Sequence, residues 1–274
     1  MNGLVAAGIA PHGFSIISEI AGEEEELFKP TRDAMKQFGE TFKKHSPDTI
    51  VVLTPHGLRL EGVNAVYTSA YCRGSLSGGG KMVTSEFKCD QLLAREILTE
   101  IKNTDIPVVG ANFGALAGPA SHIEMDWGTL IPLWYCGAQD ESNPEIVVIA
   151  PTREIPLSKM VELGEIIGRV VESSNKKVAL IASADQAHCH DSEGPYGYHP
   201  EAKKYDDRII ELIRNDELEK LLEMDMDLVE DAKPDSLWQM LILYGALKIT
   251  PMKGKLLSYQ VPTYFGMAVA TYEK

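Results

Sequence analysis

The chain has 274 residues and a formal net charge of −14, from 26 basic and 40 acidic side chains. No basic stripe offsets that charge, so we expect neither nucleic acid nor an anionic membrane surface as a partner. Apolar residues make up 44% and charged residues 24% of the chain, which is typical of a globular protein.

The cysteines and the N-terminus bear on where the protein works. Cys72, Cys89, Cys136 and Cys189 show no CxxC spacing. Since no disulfide pattern is recognisable, we expect reduced thiols and a cytoplasmic protein. The first residues lack a basic segment and a long apolar stretch, so we expect no signal peptide. No apolar run approaches the ~20 residues that a membrane-spanning helix needs.

Segments typical of strands alternate with segments typical of helices along the chain. The predicted strands are 3–10, 48–54, 106–109, 145–150 and 177–182, with one or two more in 255–272. The predicted helices are 30–45, 90–102, 125–134 with Thr129 as a candidate cap, 157–173, 199–214, 217–224 and 234–245. Residues 62–87 are predicted to form a hairpin or excursion from the sheet, with 75–80 as a flexible turn.

This alternation predicts an α/β fold. We expect a single domain, 1–274, with a mostly parallel central sheet flanked by helices on both faces. In open sheets of this kind, ligands bind in the crevice outside the carboxyl ends of the strands. Residues that follow the predicted strands are therefore the first candidates for a functional site.

Histidines follow three of the predicted strands. His12 and His56 lie in identical Pro-His-Gly triplets, and Asp185 and His188 lie in the Ser-Ala-Asp-Gln-Ala-His segment after strand 177–182. Two imidazoles and one carboxylate suit non-haem Fe(II), and zinc accepts the same ligands. A further histidine beside the metal can act as an acid or base near neutral pH. The strand ends therefore predict one metal-centred site.

Five motifs in order along the chain resemble a known family. They are Gly8-Ile-Ala-Pro-His12, Leu53-Thr-Pro-His56-Gly, Asp126-Trp-Gly-Thr-Leu-Ile-Pro-Leu133, Ser183-Ala-Asp-Gln-Ala-His188 and Gly194-Pro-Tyr-Gly-Tyr-His-Pro-Glu-Ala202. Together they resemble the class III extradiol dioxygenases, which include the catalytic subunit of protocatechuate 4,5-dioxygenase, and the related Memo-type proteins. The resemblance implies Fe(II) held by His12, His56 and a late carboxylate. It also implies that His188 is the acid/base toward a catechol-type diol that reacts with O₂.

The chain departs from the family pattern at two places. The family often has Asp-His-Gly where this chain has Trp127 between Asp126 and Gly128, and His122 and His190 are the candidates to replace that histidine. The family places a glutamate, as the metal carboxylate, shortly before a Leu-rich helix; the nearest match in this chain is Asp235, with Glu230 and Asp231 as alternatives. Asp235 also follows a proline at a predicted helix start, where its charge would favour the helix dipole instead.

The remaining residues are assigned by their place beside these motifs. Asp185 is expected to orient His188 or to cap the turn that follows, with orientation favoured. The substrate-binding candidates are Tyr198, His199 and His122, with Tyr196 in the same region. The three tryptophans, Trp127, Trp134 and Trp238, are expected in the core.

The leading interpretation is a non-haem Fe(II)-dependent extradiol dioxygenase acting on a small aromatic diol and O₂. The alternatives are a Memo-like metal-binding protein without oxygenase turnover and a zinc-dependent hydrolase on the same scaffold. Relatives in the family work as homo-oligomers or with a small second subunit. We expect a homo-oligomer here, with a small second subunit as the alternative.

Overall fold

The computed structural model describes residues 2–137 and 143–274. The strands are β1 (Gly3–Ala10), β2 (Thr49–Leu53), β3 (Asn64–Tyr67), β4 (Tyr71–Gly78), β5 (Lys81–Lys88), β6 (Val108–Ala111), β7 (His122–Glu124), β8 (Glu145–Ala150), β9 (Lys177–Ser183), β10 (Lys253–Gln260) and β11 (Met267–Glu273). The helices are α1 (Ser18–Ala21), α2 (Lys29–His45), α3 (Gln91–Lys102), α4 (Trp127–Tyr135), α5 (Leu157–Ser173), α6 (Glu201–Arg214), α7 (Met226–Ala232) and α8 (Leu237–Ile249). Short 3-10 helices lie at Phe14–Ile16, Gly22–Glu24 and Leu218–Glu223.

The main sheet has eight strands in the order β10-β11-β1-β9-β2-β8-β3-β6. Its four central strands, from β1 to β8, run parallel to one another. Antiparallel pairs join β11 to β1 and β3 to β8. Every residue of β2 is buried, as expected for a strand with both faces covered. The prediction of a mostly parallel sheet is therefore confirmed.

Helices cover both faces of the sheet and divide the core in two. Along β2, Val51 and Leu53 belong to the core under α3, α5, α6 and α8, whereas Ile50 and Val52 belong to the core under α2 and α4. The four cysteines are buried free thiols in these two cores. Among the described residues, no helix combines the length and the apolar character needed to cross a membrane. The α/β fold with helices on both faces is confirmed.

The excursion predicted for 62–87 supplies β4 and β5 of a second sheet, which β7 completes in the order β5-β4-β7, whereas β3 joins the main sheet. The prediction that Ser75 to Gly78 form a flexible turn is wrong, because Leu76 pairs with Val83 and Ser77 with Met82 across the hairpin. The turn itself is Gly79-Gly80, where both residues have positive φ, 52° and 73°. Cross-strand pairing therefore overrides the turn-like composition of this segment.

Helix starts also differ from the prediction in places. Asp126 caps α4, because its carboxylate accepts a hydrogen bond from the Thr129 backbone N–H at 3.0 Å. The Thr129 hydroxyl donates to the same carboxylate at 2.8 Å, so the prediction that Thr129 is the cap is wrong. Helix α7 was not predicted, and the acidic segment 217–224 forms a 3-10 turn.

Helix α8, which begins two residues after Asp235, packs closely on α5. A Cβ added at Gly164 would lie 1.9 Å from the Ile242 carbonyl oxygen, and one added at Gly245 would lie 2.1 Å from the Val161 carbonyl oxygen. Only glycine fits at these two contacts, so the helix backbones approach each other directly. This contact fixes the position of the segment that carries Asp235.

We predict that Gly164→Ala destabilises the protein by about 1–3 kcal/mol, because the added methyl forces α5 and α8 apart. The change in the free energy of unfolding is measured by urea denaturation. Arg169→Ala, at an exposed position of the same helix, is the control and is expected to change stability by no more than about 0.5 kcal/mol. Equal effects of the two substitutions would contradict the close helix contact.

Candidate metal centre

Three of the predicted ligands converge on one point. His12 follows β1, His56 follows β2, and Asp235 precedes α8. The Nε2 atoms of His12 and His56 are 3.0 Å apart, and each lies 3.1 Å from Asp235 Oδ2. Two strand ends and one helix start therefore supply three metal-ligating atoms within contact distance of each other.

The spacing of these atoms fits a divalent transition metal. With metal–ligand bonds of ~2.1 Å, two ligands at a right angle are ~3.0 Å apart and two at a tetrahedral angle are ~3.4 Å apart. The observed 3.0–3.1 Å separations match three adjacent positions of an octahedron. Two histidines and one carboxylate in that arrangement leave positions open and are the ligand set of non-haem Fe(II) oxygenases.

His12 is held so that its Nε2 atom, and not its Nδ1 atom, can bind a metal. Its Nδ1 lies 2.9 Å from Ser183 Oγ, and its backbone N–H donates to Asp185 Oδ1 at 3.0 Å. A partner on Nδ1 fixes the ring orientation and the tautomer of a metal-ligating histidine. Ser183 and Asp185, both at the end of β9, thus orient a candidate ligand that follows β1.

Asp235 is 4% exposed and turns its carboxylate into this cluster rather than onto α8. Its Oδ1 accepts a hydrogen bond from the Asp185 backbone N–H at 2.9 Å, and its Oδ2 faces the two histidines. The N-cap of α8 is Ser236. The alternatives Glu230 and Asp231 lie on α7 and are exposed, so neither carboxylate joins the cluster.

His188 and Asp185 form a second group around Asp235, with one potential ligand atom from each residue within 4.8 Å of the others. The Asp185 carboxylate lies 3.2 Å from His12 Nε2, whereas His188 Nδ1 hydrogen-bonds to the Lys233 carbonyl oxygen at 2.9 Å. The His188 ring also stacks on Phe265, with 5.5 Å between ring centroids. The group that orients His188 is therefore the Lys233 carbonyl, not Asp185 as expected from the sequence.

Burial and charge set the protonation of the site in opposite directions. Burial alone would lower the pKa of His12, but the charges of Asp185 and Asp235 raise it to about 9. Burial lowers the pKa of His56 and of His188. Burial opposes ionisation of Asp235, yet the charge of His12 and the hydrogen bonds of both histidines hold the pKa of Asp235 below its usual range.

The cluster opens into a cavity of about 480 Å³ whose walls include six aromatic side chains besides the histidines. The aromatic side chains that line it are Phe14, Phe28, Trp127, Tyr196, Tyr264 and Phe265. The Trp127 ring stacks on His56, with 4.2 Å between centroids and 28° between planes. At 37% exposed, Trp127 is a wall of the pocket rather than the core residue expected from the sequence.

Three of the predicted substrate contacts lie elsewhere. His122 is on β7 and lines a different groove, where it faces Phe113. Tyr198 pairs with His190 and is 63% exposed, and His199 faces Asp231 on the surface. Because the loop folds back at that pairing, the ring that reaches His188 is Tyr196, at 5.8 Å between centroids.

Arg153 is a site neighbour that the sequence reasoning missed. It follows β8, the fourth parallel strand, and its guanidinium lies 4.8 Å from the centroid of the Trp238 ring. Burial lowers the pKa of Arg153, against the opposing charge of Asp235. The sequence could have indicated Arg153 by its position after a parallel strand, because candidate site residues follow the other three central strands as well.

The comparisons with known proteins agree with this geometry. A family model described as the catalytic LigB subunit of aromatic ring-opening dioxygenase matches residues 6–270. The chain belongs to this family. The match spans both of the histidine triplets, the Asp185–His188 segment and Asp235, so the whole candidate centre lies inside the LigB region.

Two similar proteins extend the comparison. A Clostridium acetobutylicum protein, Protein CA_C1420, is 25% identical over 267 residues, which is 97% of this chain and 56% of that protein. The chain thus spans little more than half the length of that relative. The crystal structure of the uncharacterized protein JW3007 from Escherichia coli K12 covers 97% of this chain and 99% of its own, with a TM-score of 0.63 and 14% identity. That likeness shows the fold alone.

We predict that metal binding becomes tighter as the pH rises from about 7 to about 9. In the metal-free protein the His12 pKa is raised to about 9, and a metal binds only the neutral imidazole, so the ion must displace a proton at pH 7. Competition with a chelator across this range measures the affinity. The control is His45→Ala, which removes a surface histidine paired with Glu273 at 2.6 Å and leaves the pH dependence unchanged. An affinity that is constant with pH would contradict the prediction.

Proposed function

We propose that the protein is a non-haem Fe(II)-dependent extradiol dioxygenase that opens the ring of a catechol-type diol with O₂. The observation that carries the proposal is the His12, His56 and Asp235 triad with His188 beside it, at the base of an aromatic pocket. Membership of the LigB family supports the same reaction class. Bound at the triad, Fe(II) would supply the redox chemistry and bring the diol and O₂ together.

His188 is suited to take a hydroxyl proton from the diol. The Lys233 carbonyl can only accept, so the proton of a neutral His188 ring lies on Nδ1 and the lone pair on Nε2 is left for the substrate. Burial lowers the pKa of His188, so the ring is neutral at pH 7 and ready to act as a base. The stacked Phe265 ring holds it in that orientation.

The pocket walls are suited to position a flat ring. Trp127 and Phe14 lie on the side of His56, with 6.0 Å between their centroids, whereas Tyr264 and Phe265 lie on the side of His188. Aromatic faces on both sides favour a planar aromatic ligand by stacking and by burial of apolar area. A ring bound between these walls would displace water from the site, which protects reactive species.

We predict that His188→Ala lowers the rate of ring cleavage by about 10²–10⁴-fold, because the general base is lost, while metal binding is retained. Asp235→Ala is expected to lose the metal itself. Both are measured on iron-loaded protein with a panel of catechols, by the yellow ring-opened product and by the metal content.

His122→Ala is the matched control, since this histidine lies outside the pocket and its loss leaves turnover unchanged. Product formation by the His188→Ala variant at the wild-type rate would exclude the role assigned to His188. Absence of product from every catechol at full iron occupancy would exclude the proposed activity.

A second candidate is a Memo-like metal-binding protein without oxygenase turnover. The observation that favours it is Trp127, whose ring stacks on His56 where the family often has a histidine. The shorter carboxylate of Asp235, in place of the family's glutamate, points the same way. Under this function the protein binds metal at the triad but consumes no O₂ with any catechol, which an oxygen electrode measures.

A third candidate function is a zinc-dependent hydrolase on this scaffold, because zinc accepts the same histidine and carboxylate ligands. Elemental analysis of protein purified without added metal, followed by reloading with Fe(II) or Zn²⁺ under anaerobic conditions, separates the two metals. Oxygen uptake restored by Fe(II) alone would support the dioxygenase. Hydrolysis restored by Zn²⁺ alone would support the hydrolase.

A further inference from the structure

Asp206 is a buried carboxylate outside the metal centre. It lies on α6, is 0% exposed, and accepts three hydrogen bonds. The donors are the Ala187 backbone N–H at 2.8 Å, His190 Nε2 at 2.8 Å and the Tyr259 hydroxyl at 2.7 Å. None of these donors belongs to the candidate triad of His12, His56 and Asp235, so Asp206 lies outside the candidate metal centre.

The partners of Asp206 flank His188 on both sides. Ala187 precedes His188 and His190 follows it two positions later, in a segment that leaves β9 without regular structure. Ala187 also accepts a hydrogen bond from the Gly266 N–H at 2.9 Å. A Cβ added at Gly266 would lie 2.0 Å from Asp206 Oδ2, so the carboxylate packs directly on that turn.

The turn at Gly266 connects Asp206 to the His188 ring. Phe265, the residue before it, carries the ring on which His188 stacks, with 13° between the planes. Asp206 therefore touches the backbone on one side of His188 and the turn that supplies its stacking partner on the other. Tyr259 joins β10 to the same carboxylate.

The chemistry of the contacts requires a carboxylate at this position. Oδ1 receives the backbone donor and Oδ2 receives both side-chain donors. An ionised carboxylate has acceptor sites on both oxygens, whereas an amide offers one oxygen and two donors of its own. A buried donor left without an acceptor costs about 1–3 kcal/mol, so loss of Asp206 would release this segment.

We propose that Asp206, with His190 and Tyr259, is a positioning network that fixes the His188 ring over the metal centre. These residues contact neither substrate nor metal, and they act through the backbone of 187–190 and the turn at Gly266. This assigns His190, a candidate replacement for the missing family histidine, to support of His188 rather than to the pocket. The kinetic consequence rests on the proposed function, whereas the ordering of the segment does not.

The kinetic test is Asp206→Asn in the full-length, metal-loaded protein. We expect kcat for ring cleavage to fall by about 10–100-fold, the range for loss of a residue that orients a catalytic group. KM and metal content are expected to stay within about twofold, because neither the walls nor the ligands change. The control is Asp207→Asn, the adjacent exposed carboxylate that pairs with Lys203 at 2.6 Å, which is expected to leave kcat unchanged.

A second pair of variants separates positioning from simple loss of stability. His190→Gln keeps an N–H donor for Asp206, whereas His190→Leu removes it. We expect His190→Gln to restore most of the kcat that His190→Leu loses, although both remove the imidazole. Equal losses in the two variants would overturn the role of the hydrogen bond.

Hydrogen–deuterium exchange tests the same network without turnover. In Asp206→Asn, the peptide that contains Ala187 and His188 is expected to exchange faster, while peptides of α5 and β2 keep the wild-type rate. Unchanged exchange in 187–190 together with unchanged kcat would overturn the proposal. If the wild-type protein cleaves no catechol, the proposed function fails while this exchange result still decides the positioning role.

Discussion

The buried carboxylate of Asp235 is the constraint on which the candidate centre depends. Removing a carboxylate from water costs several kcal/mol unless hydrogen bonds and opposite charges replace the solvent. Here the Asp185 backbone N–H satisfies one oxygen, and the two imidazoles of His12 and His56 face the other. These partners come from three separate strand ends, so the charge is compensated only when the sheet and α8 are assembled around it.

The order of the strands explains how side chains from two separate strands can meet at one candidate metal centre. His12 follows β1 and His56 follows β2, and β9 lies between those strands, so the two backbones are separated by two strand spacings of ~4.8 Å each. The two imidazole side chains are long enough to meet across that distance, with 3.0 Å between their Nε2 atoms. Asp185, at the end of β9, places its carboxylate 3.2 Å from His12 Nε2. Periodicity in the sequence predicted most of the main-sheet strands and the longer helices, and α5 agrees to the residue. Periodicity is local, however, so it could not supply the order of the strands.

Candidate site residues could be predicted from the sequence where they lie in a recognisable motif. They could not be predicted where tertiary packing decides which of two nearby residues faces the pocket. His12 and His56 lie in the short turns that follow β1 and β2, and His188 lies in the segment that follows β9, so each is placed near the carboxyl edge of the sheet. Tyr196 and Tyr198 are equivalent in the sequence, and only the pairing of Tyr198 with His190 decides which ring faces the pocket. The hydrogen-bond partner of His188 could not be predicted for a different reason. It is the backbone carbonyl of Lys233, and every residue has such a carbonyl whatever its type.

Two histidines of the same pocket have surroundings that suit the two roles proposed for them, a metal ligand at His12 and a base at His188. His12 and His188 are both desolvated, but His12 lies 3.1–3.2 Å from two carboxylate oxygens, whereas Nδ1 of His188 meets a neutral carbonyl. The pKa is therefore raised at His12 and lowered at His188. A divalent cation would replace the proton of His12 as the positive charge that the two carboxylates require. Under the proposed function, metal and proton compete at His12, and the lowered pKa of His188 leaves that ring suited to accept a proton from the substrate.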